Sequence, residues 1–190
     1  MDTLQTAAAT DSGAPKTRYD RVTIALHWLT ALLVVVLFGL MLSRRWIPRS
    51  AGLGHPLESL HVSLGILLTA VVIGRAIWRL THGTRLPAAD AGLQGLMARL
   101  VHAVLYGLLT IQIVLGFLAR WTDDAPLSFF GLFTIPSPIA PAKDLQHQLA
   151  DLHNYGAWAI IILAGGHAVM ALLHHYVIKD GVLRRMLPAA

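Results

Sequence analysis

The chain has 190 residues, 55% of them hydrophobic and 13% charged, with a mean hydropathy of +0.60. Soluble domains carry about 25% charged residues, so this composition excludes an ordinary soluble enzyme and points to an integral membrane protein. The net charge of +5 would suit nucleic acid, but the apolar segments assign the basic residues to orientation in a bilayer, and no nucleic-acid partner is expected. There is no cysteine, which rules out disulfides, thiolate metal sites and covalent thioether attachment of a prosthetic group.

Residues 1–18 are small and polar, with Gly13 and Pro15, and read as a disordered cytoplasmic tail. They do not read as a signal peptide, because no apolar core follows a basic start. Residues 19–188 read as one all-α domain, an up-and-down four-helix transmembrane bundle. A bilayer core about 30 Å thick needs roughly 20 apolar residues in a helix, and four stretches qualify: about Ile24 to Leu42, Leu60 to Trp78, Leu100 to Leu118 and Leu152 to Val177. The breakers Pro48, Gly52, Gly54 and Pro56 fill the first connection, and Gly83, Pro87 and Gly92 the second. The third runs from about Arg120 to Asp151 with Pro126, Pro136, Pro138 and Pro141. Phe129, Phe130 and Phe133 in this last loop suggest an interfacial lid. Five of the 15 Lys and Arg residues (Arg44, Arg45, Arg49, Arg120 and Lys143) fall on one side, and the other ten on the side of the termini. The excess places both termini in the cytoplasm; of the five outer residues, Arg44, Arg45 and Arg49 form a cluster.

Four histidines lie inside these spans. His153 and His167 are 14 residues apart in the fourth, nearly four helical turns, so both share a face about 21 Å apart along the axis. His27 opens the first span on the cytoplasmic side and His61 opens the second on the outer side. In an up-and-down bundle His61 and His153 share the outer level, and His27 and His167 the inner. Ionisable side chains inside spans face the bundle interior and serve a function. Two imidazoles at each of two depths are the ligands of two six-coordinate haems. Interfacial or hydrogen-bonded core histidines are the bland alternative, and it weakens when four of them pair by depth. A zinc site lacks both H-E-x-x-H and acidic or thiol ligands within the spans. Gly65, Gly156, Gly165 and Gly166 beside the ligands suit a flat macrocycle, although glycine is also usual at ordinary membrane helix contacts.

The remaining candidates are less defined. His102 starts the third helix without an obvious partner at its depth, and is either an interfacial residue or a donor to a propionate or quinone. His174 and His175 lie at the cytoplasmic end of the last helix, where imidazole can donate to a quinone carbonyl or pass it a proton. Arg75 and Arg79 serve either inner haem propionates or the positive-inside bias. Arg44, Arg45 and Arg49 above the outer level would draw in a small anion or pair with propionates.

The segment YDRVTIALHWLTALLVV, containing His27, resembles the opening of bacterial cytochrome b561 proteins. ESLHVSLGILLTAVVIGRAIWRL resembles their second helix, with His61 near its start. LHNYGAWAIIILAGGHAVMALLHHYVIKDGVLRRMLP resembles their fourth helix and tail, and is the most specific part. The resemblance covers about residues 19 to 188 and implies a diheme b-type cytochrome of the bacterial inner membrane, with His61 and His153 on the outer haem and His27 and His167 on the inner. It further implies superoxide oxidase chemistry: superoxide drawn in by Arg44, Arg45 and Arg49 is oxidised outside, and ubiquinone is reduced near His174. Residues 81 to 98 and 120 to 146 match no family motif. Two alternatives remain open: a cytochrome b subunit serving a partner dehydrogenase or hydrogenase, and a cation or proton transporter, which the scarcity of Asp and Glu in the spans disfavours.

Overall fold

The computed structural model describes residues 17–87 and 92–188. Four long helices, α1 (Arg21–Ser43), α2 (Gly54–Thr81), α3 (Gly92–Thr122) and α4 (Lys143–Leu173), are each long and apolar enough to cross a membrane. A short hairpin, β1 (Leu127–Phe129) and β2 (Phe133–Ile135), interrupts the connection from α3 to α4. A π-helical turn (His174–Ile178) extends α4, and Lys179 ends it in the left-handed conformation at φ +60. Most large apolar side chains point outward, Leu32, Val35, Ile73 and Ile162 among them, as expected where lipid is the solvent. Among the described residues a small central cluster, Leu33, Leu37, Leu68, Val71 and Leu109, is buried, with Ile24, Leu127 and Ile160 buried apart from it.

The helices run past the apolar stretches in the sequence. α2 begins at Gly54, α3 at Gly92 and α4 at Lys143, because apolarity marks only the part that crosses hydrocarbon while the polar ends stay helical in the interface. Gly54 and Pro56 are therefore not loop breakers, as their residue types suggested, whereas Gly92 opens α3 with left-handed backbone at φ +70. Pro56 falls in the first turn of α2, where its missing N–H has no helical partner to lose.

α1 packs along α2 and α3 along α4, and the two hairpins touch each other little. The space left between them holds the candidate site. Asp20 ties the first hairpin together at one end. Its carboxylate caps α1 by accepting from the Thr23 N–H (2.8 Å), and also accepts from the Trp78 indole of α2 (2.9 Å) and the Thr84 N–H (3.0 Å). The C-terminal tail returns to this end, where Trp28 Nε1 donates to the Met186 carbonyl, Tyr19 N–H to that of Arg185 and Arg18 to that of Pro188. Only residues 17 and 18 of the expected disordered tail are among the described ones.

At the opposite end the β-hairpin is held on α2. The Ser63 hydroxyl donates to the Ser128 carbonyl (3.2 Å) and accepts from the Phe130 N–H (3.0 Å). Its turn needs left-handed backbone at Phe130 (φ +49) and Gly131 (φ +74). The expected aromatic lid is thus a hairpin whose buried residue is Leu127, while Phe130 and Phe133 remain half-exposed.

Candidate haem-binding site

Each histidine of the outer level is oriented by a carbonyl of the neighbouring helix. His61 Nδ1 donates to the Leu37 carbonyl of α1 at 3.2 Å, and His153 Nδ1 donates to the Gln112 carbonyl of α3 at 3.1 Å. A carbonyl can only accept, so both rings carry their proton on Nδ1 and present the Nε2 lone pair, the arrangement typical of metal-ligating imidazoles. The ring centroids are 6.1 Å apart and their planes meet at 80°. A single metal between two imidazole nitrogens, at about 2 Å from each, needs centroids roughly 6 Å apart. Among the described residues no group of three or more His, Cys, Asp or Glu is placed to hold a metal ion. Two opposed imidazoles therefore leave the remaining coordination to a macrocycle.

The surrounding space fits one. A cavity of about 410 Å³ opens between the hairpins, walled by apolar side chains such as Phe38, Leu68, Leu109, Ile113, Phe117 and Ile160, with charged residues at its rim. An apolar slot whose charged lining includes Arg45 and Arg120, beside Glu58 and Asp123, suits a porphyrin and offers guanidinium partners to its two carboxylates. Leu127 of the hairpin also lines it. Gly116 gives the His153 ring its room, since a methyl there would lie 3.0 Å from the ring carbon Cε1. Gly65 lines the cavity as the sequence suggested, and its Cα faces open space, as do those of Gly165 and Gly166.

The rim differs from the expected arginine cluster. Arg45 lines the cavity, whereas Arg44 is bound to Glu58 at 3.3 Å; the Arg49 side chain lies outside the described ones. Arg120, at the end of α3, also lines the cavity and forms a close ion pair with Glu58. Glu58 sits one turn before His61 and joins α1 and α3 through the two arginines. The sequence counted Arg120 among the outer basic residues and pointed to no partner for it, because its pairing with Glu58 spans 62 residues.

The inner level is built differently. Arg75 of α2 donates to His27 Nδ1 at 3.2 Å and lies over the Tyr106 ring at 5.0 Å. A guanidinium only donates, so His27 has its proton on Nε2, the reverse of the outer pair. His102, which the sequence left without a partner, meets His167 of α4 edge-on at 5.0 Å, because α3 and α4 pack along their length. That is shorter than a bis-imidazole metal site requires. His27, His102 and His167 nevertheless lie near one another at this level.

At the end of the fourth span His174 and His175 diverge. His174 Nδ1 makes a close hydrogen bond with the Asp180 carboxylate. The hydrogen bond from His174, then that from the Val182 N–H, holds the Asp180 carboxyl below the usual carboxylate range. His175 instead lines a pocket of about 200 Å³ with Tyr176, Lys179, Gly181 and Arg184.

A four-helix membrane bundle with two opposed, carbonyl-oriented imidazoles in an apolar slot defines a membrane b-type cytochrome. The sequence profile of prokaryotic cytochrome b561 matches residues 18–189, and the chain belongs to that family, whose members bind haem b and transfer electrons in membranes. It is 35% identical over 171 residues to cytochrome b561 homolog 2 of Escherichia coli K12, covering 90% of this chain and 91% of that one. It is 31% identical over 174 residues to the probable superoxide oxidase CybB of Yersinia pestis, covering 90% and 96%. Cytochrome b562 of Cereibacter sphaeroides is 34% identical over 182 residues, covering 89% and 94%.

Proposed function

We propose that this protein holds two b haems in the bacterial inner membrane, with both termini cytoplasmic, and passes electrons from superoxide outside to ubiquinone. The observation that carries the reading is the His61–His153 slot with Arg45 and Arg120 in its lining, beside Glu58 and Asp123; the relative named as a probable superoxide oxidase supports it. Bound haem supplies a one-electron relay. The residues of the chain do the rest. Arg45 and Arg120 attract a small anion into the mouth, and Glu58 fixes Arg120 and, with Asp123 nearby, keeps the anion from binding too tightly to release. Two superoxide anions yield two oxygen molecules and two electrons; with two protons these convert one quinone to its quinol. His174, hydrogen-bonded to Asp180, delivers those protons at the cytoplasmic end, and His175 lines the adjacent pocket. Ligation of the inner haem by His27 and His167 requires the His27 proton on Nδ1, which frees Arg75 to pair with a propionate. His102 then buttresses His167 as an edge-on neighbour.

The test is a spectrum of the purified oxidised protein while superoxide is generated, with a quinone analogue added afterwards. Reduced b-type α-bands that form with superoxide and decay on quinone addition support the proposal. Bands that form only with dithionite would show that the donor is another protein, as for a subunit of a dehydrogenase or hydrogenase.

A further inference from the structure

Gln112 contacts His153 twice. Its backbone carbonyl accepts from the ring Nδ1 at 3.1 Å, and its side-chain Nε2 donates to the His153 carbonyl at 2.8 Å. One residue of α3 thus grips the ring and the backbone of a single residue on α4. His61 receives no such grip: its ring donates to the Leu37 carbonyl, and a leucine side chain has nothing to offer the backbone opposite. The Gln112 amide reaches its place only because residue 156 is glycine, since a methyl there would overlap Oε1. That oxygen is buried without a hydrogen-bond partner. Leaving a buried carbonyl unpaired is unfavourable, and a packing role alone would be met better by leucine or methionine. What the amide adds over such a side chain is its N–H.

We propose that Gln112 is the positioning residue of the outer haem, which holds the His153 ring at its near-perpendicular 80° to His61 and thereby sets that haem's electronic structure and potential. The proposal rests on the reading of His61 and His153 as haem ligands. Outer partners of a ligating histidine fix its orientation and basicity, and hydrogen bonding around the axial ligands is one of the protein's levers on haem potential. In low-spin ferric haem the angle between two axial imidazole planes governs the magnetic anisotropy, so the angle is directly observable.

The experiment is low-temperature EPR and a redox titration of the haem-loaded protein in wild type, Gln112→Leu and Gly156→Ala. Leucine keeps the bulk and removes the donor; the methyl at 156 displaces the amide without touching the ring. Both variants are expected to keep wild-type haem content and the inner haem's signal and potential. In both, the outer haem's highly anisotropic signal moves toward a more rhombic one and its potential shifts. Gly116→Ala pushes on the His153 ring from the other side and should move the same signal if either variant fails to assemble. An outer signal and potential unchanged in Gln112→Leu and Gly156→Ala overturn the proposal. Failure of the underlying reading is distinct: there the wild-type protein lacks a bis-imidazole signal, or His153→Ala leaves it intact.

Discussion

Removing the Asp20 carboxylate should loosen the end of the bundle where His27 meets Arg75. Oδ1 accepts from the Thr23 N–H and the Trp78 indole, and Oδ2 from the Thr23 hydroxyl and the Thr84 N–H. Loss of an N-cap costs about 1 kcal/mol, and each bond to a charged group about 1.5 kcal/mol at the low end of its range. Asp20 is only partly buried, so Asp20→Ala should lose about 2–4 kcal/mol in all. Asp20→Asn keeps an oxygen at the Oδ1 position, and with it the cap and Trp78, but turns an amide N–H toward that of Thr84; it should lose about half as much. Burial opposes ionisation of Asp20, but the hydrogen bonds from Thr23, Thr84 and Trp78 outweigh it and hold the carboxyl well below the usual range. The folded pKa is thus depressed, so the carboxylate's contribution is fully present above about pH 4 and is lost as pH falls toward the folded value. Thermal unfolding in detergent, followed by circular dichroism, should show Asp20→Ala melting roughly 5–15 °C below wild type at pH 7, with a smaller gap at pH 3. An unchanged melting temperature, or a gap that widens in acid, refutes this reasoning.

Glu58→Gln releases Arg44 and Arg120 and adds one positive charge to the rim, so superoxide-driven reduction should speed up several-fold at low ionic strength. The gain should fade near 0.15 M salt, where screening acts within about 8 Å; stopped-flow rates against salt check it. Asp180→Asn frees the His174 ring from its carboxylate, and quinol formation should fall roughly 10–100-fold at pH 8. Reduction by superoxide in the absence of quinone should stay at the wild-type rate, which separates proton delivery from electron entry.

The fold was legible because lipid imposes a simple constraint: four apolar stretches become four helices. What apolarity does not mark is where a helix ends, and so the polar starts of α2, α3 and α4 read as loops. The outer histidines were legible from depth alone, since His61 and His153 fall at one level in any up-and-down bundle. Their orientation was not, because Leu37 and Gln112 act through backbone carbonyls that carry no residue signature. Glu58, Arg120 and His102 acquire roles only through long-range packing. Gly156 read as room for a flat macrocycle, whereas the Gln112 amide fills that place, and Gly116 gained a role only once the His153 ring was seen against it.

The most direct test of the central claim is the haem content, by pyridine haemochrome, of wild type, His61→Ala and His153→Ala. The account predicts two b haems per chain in wild type and one in each variant, with the same α-band component missing from both. Equal haem content in all three proteins, or loss of different components from the two variants, would contradict a single outer haem held between His61 and His153.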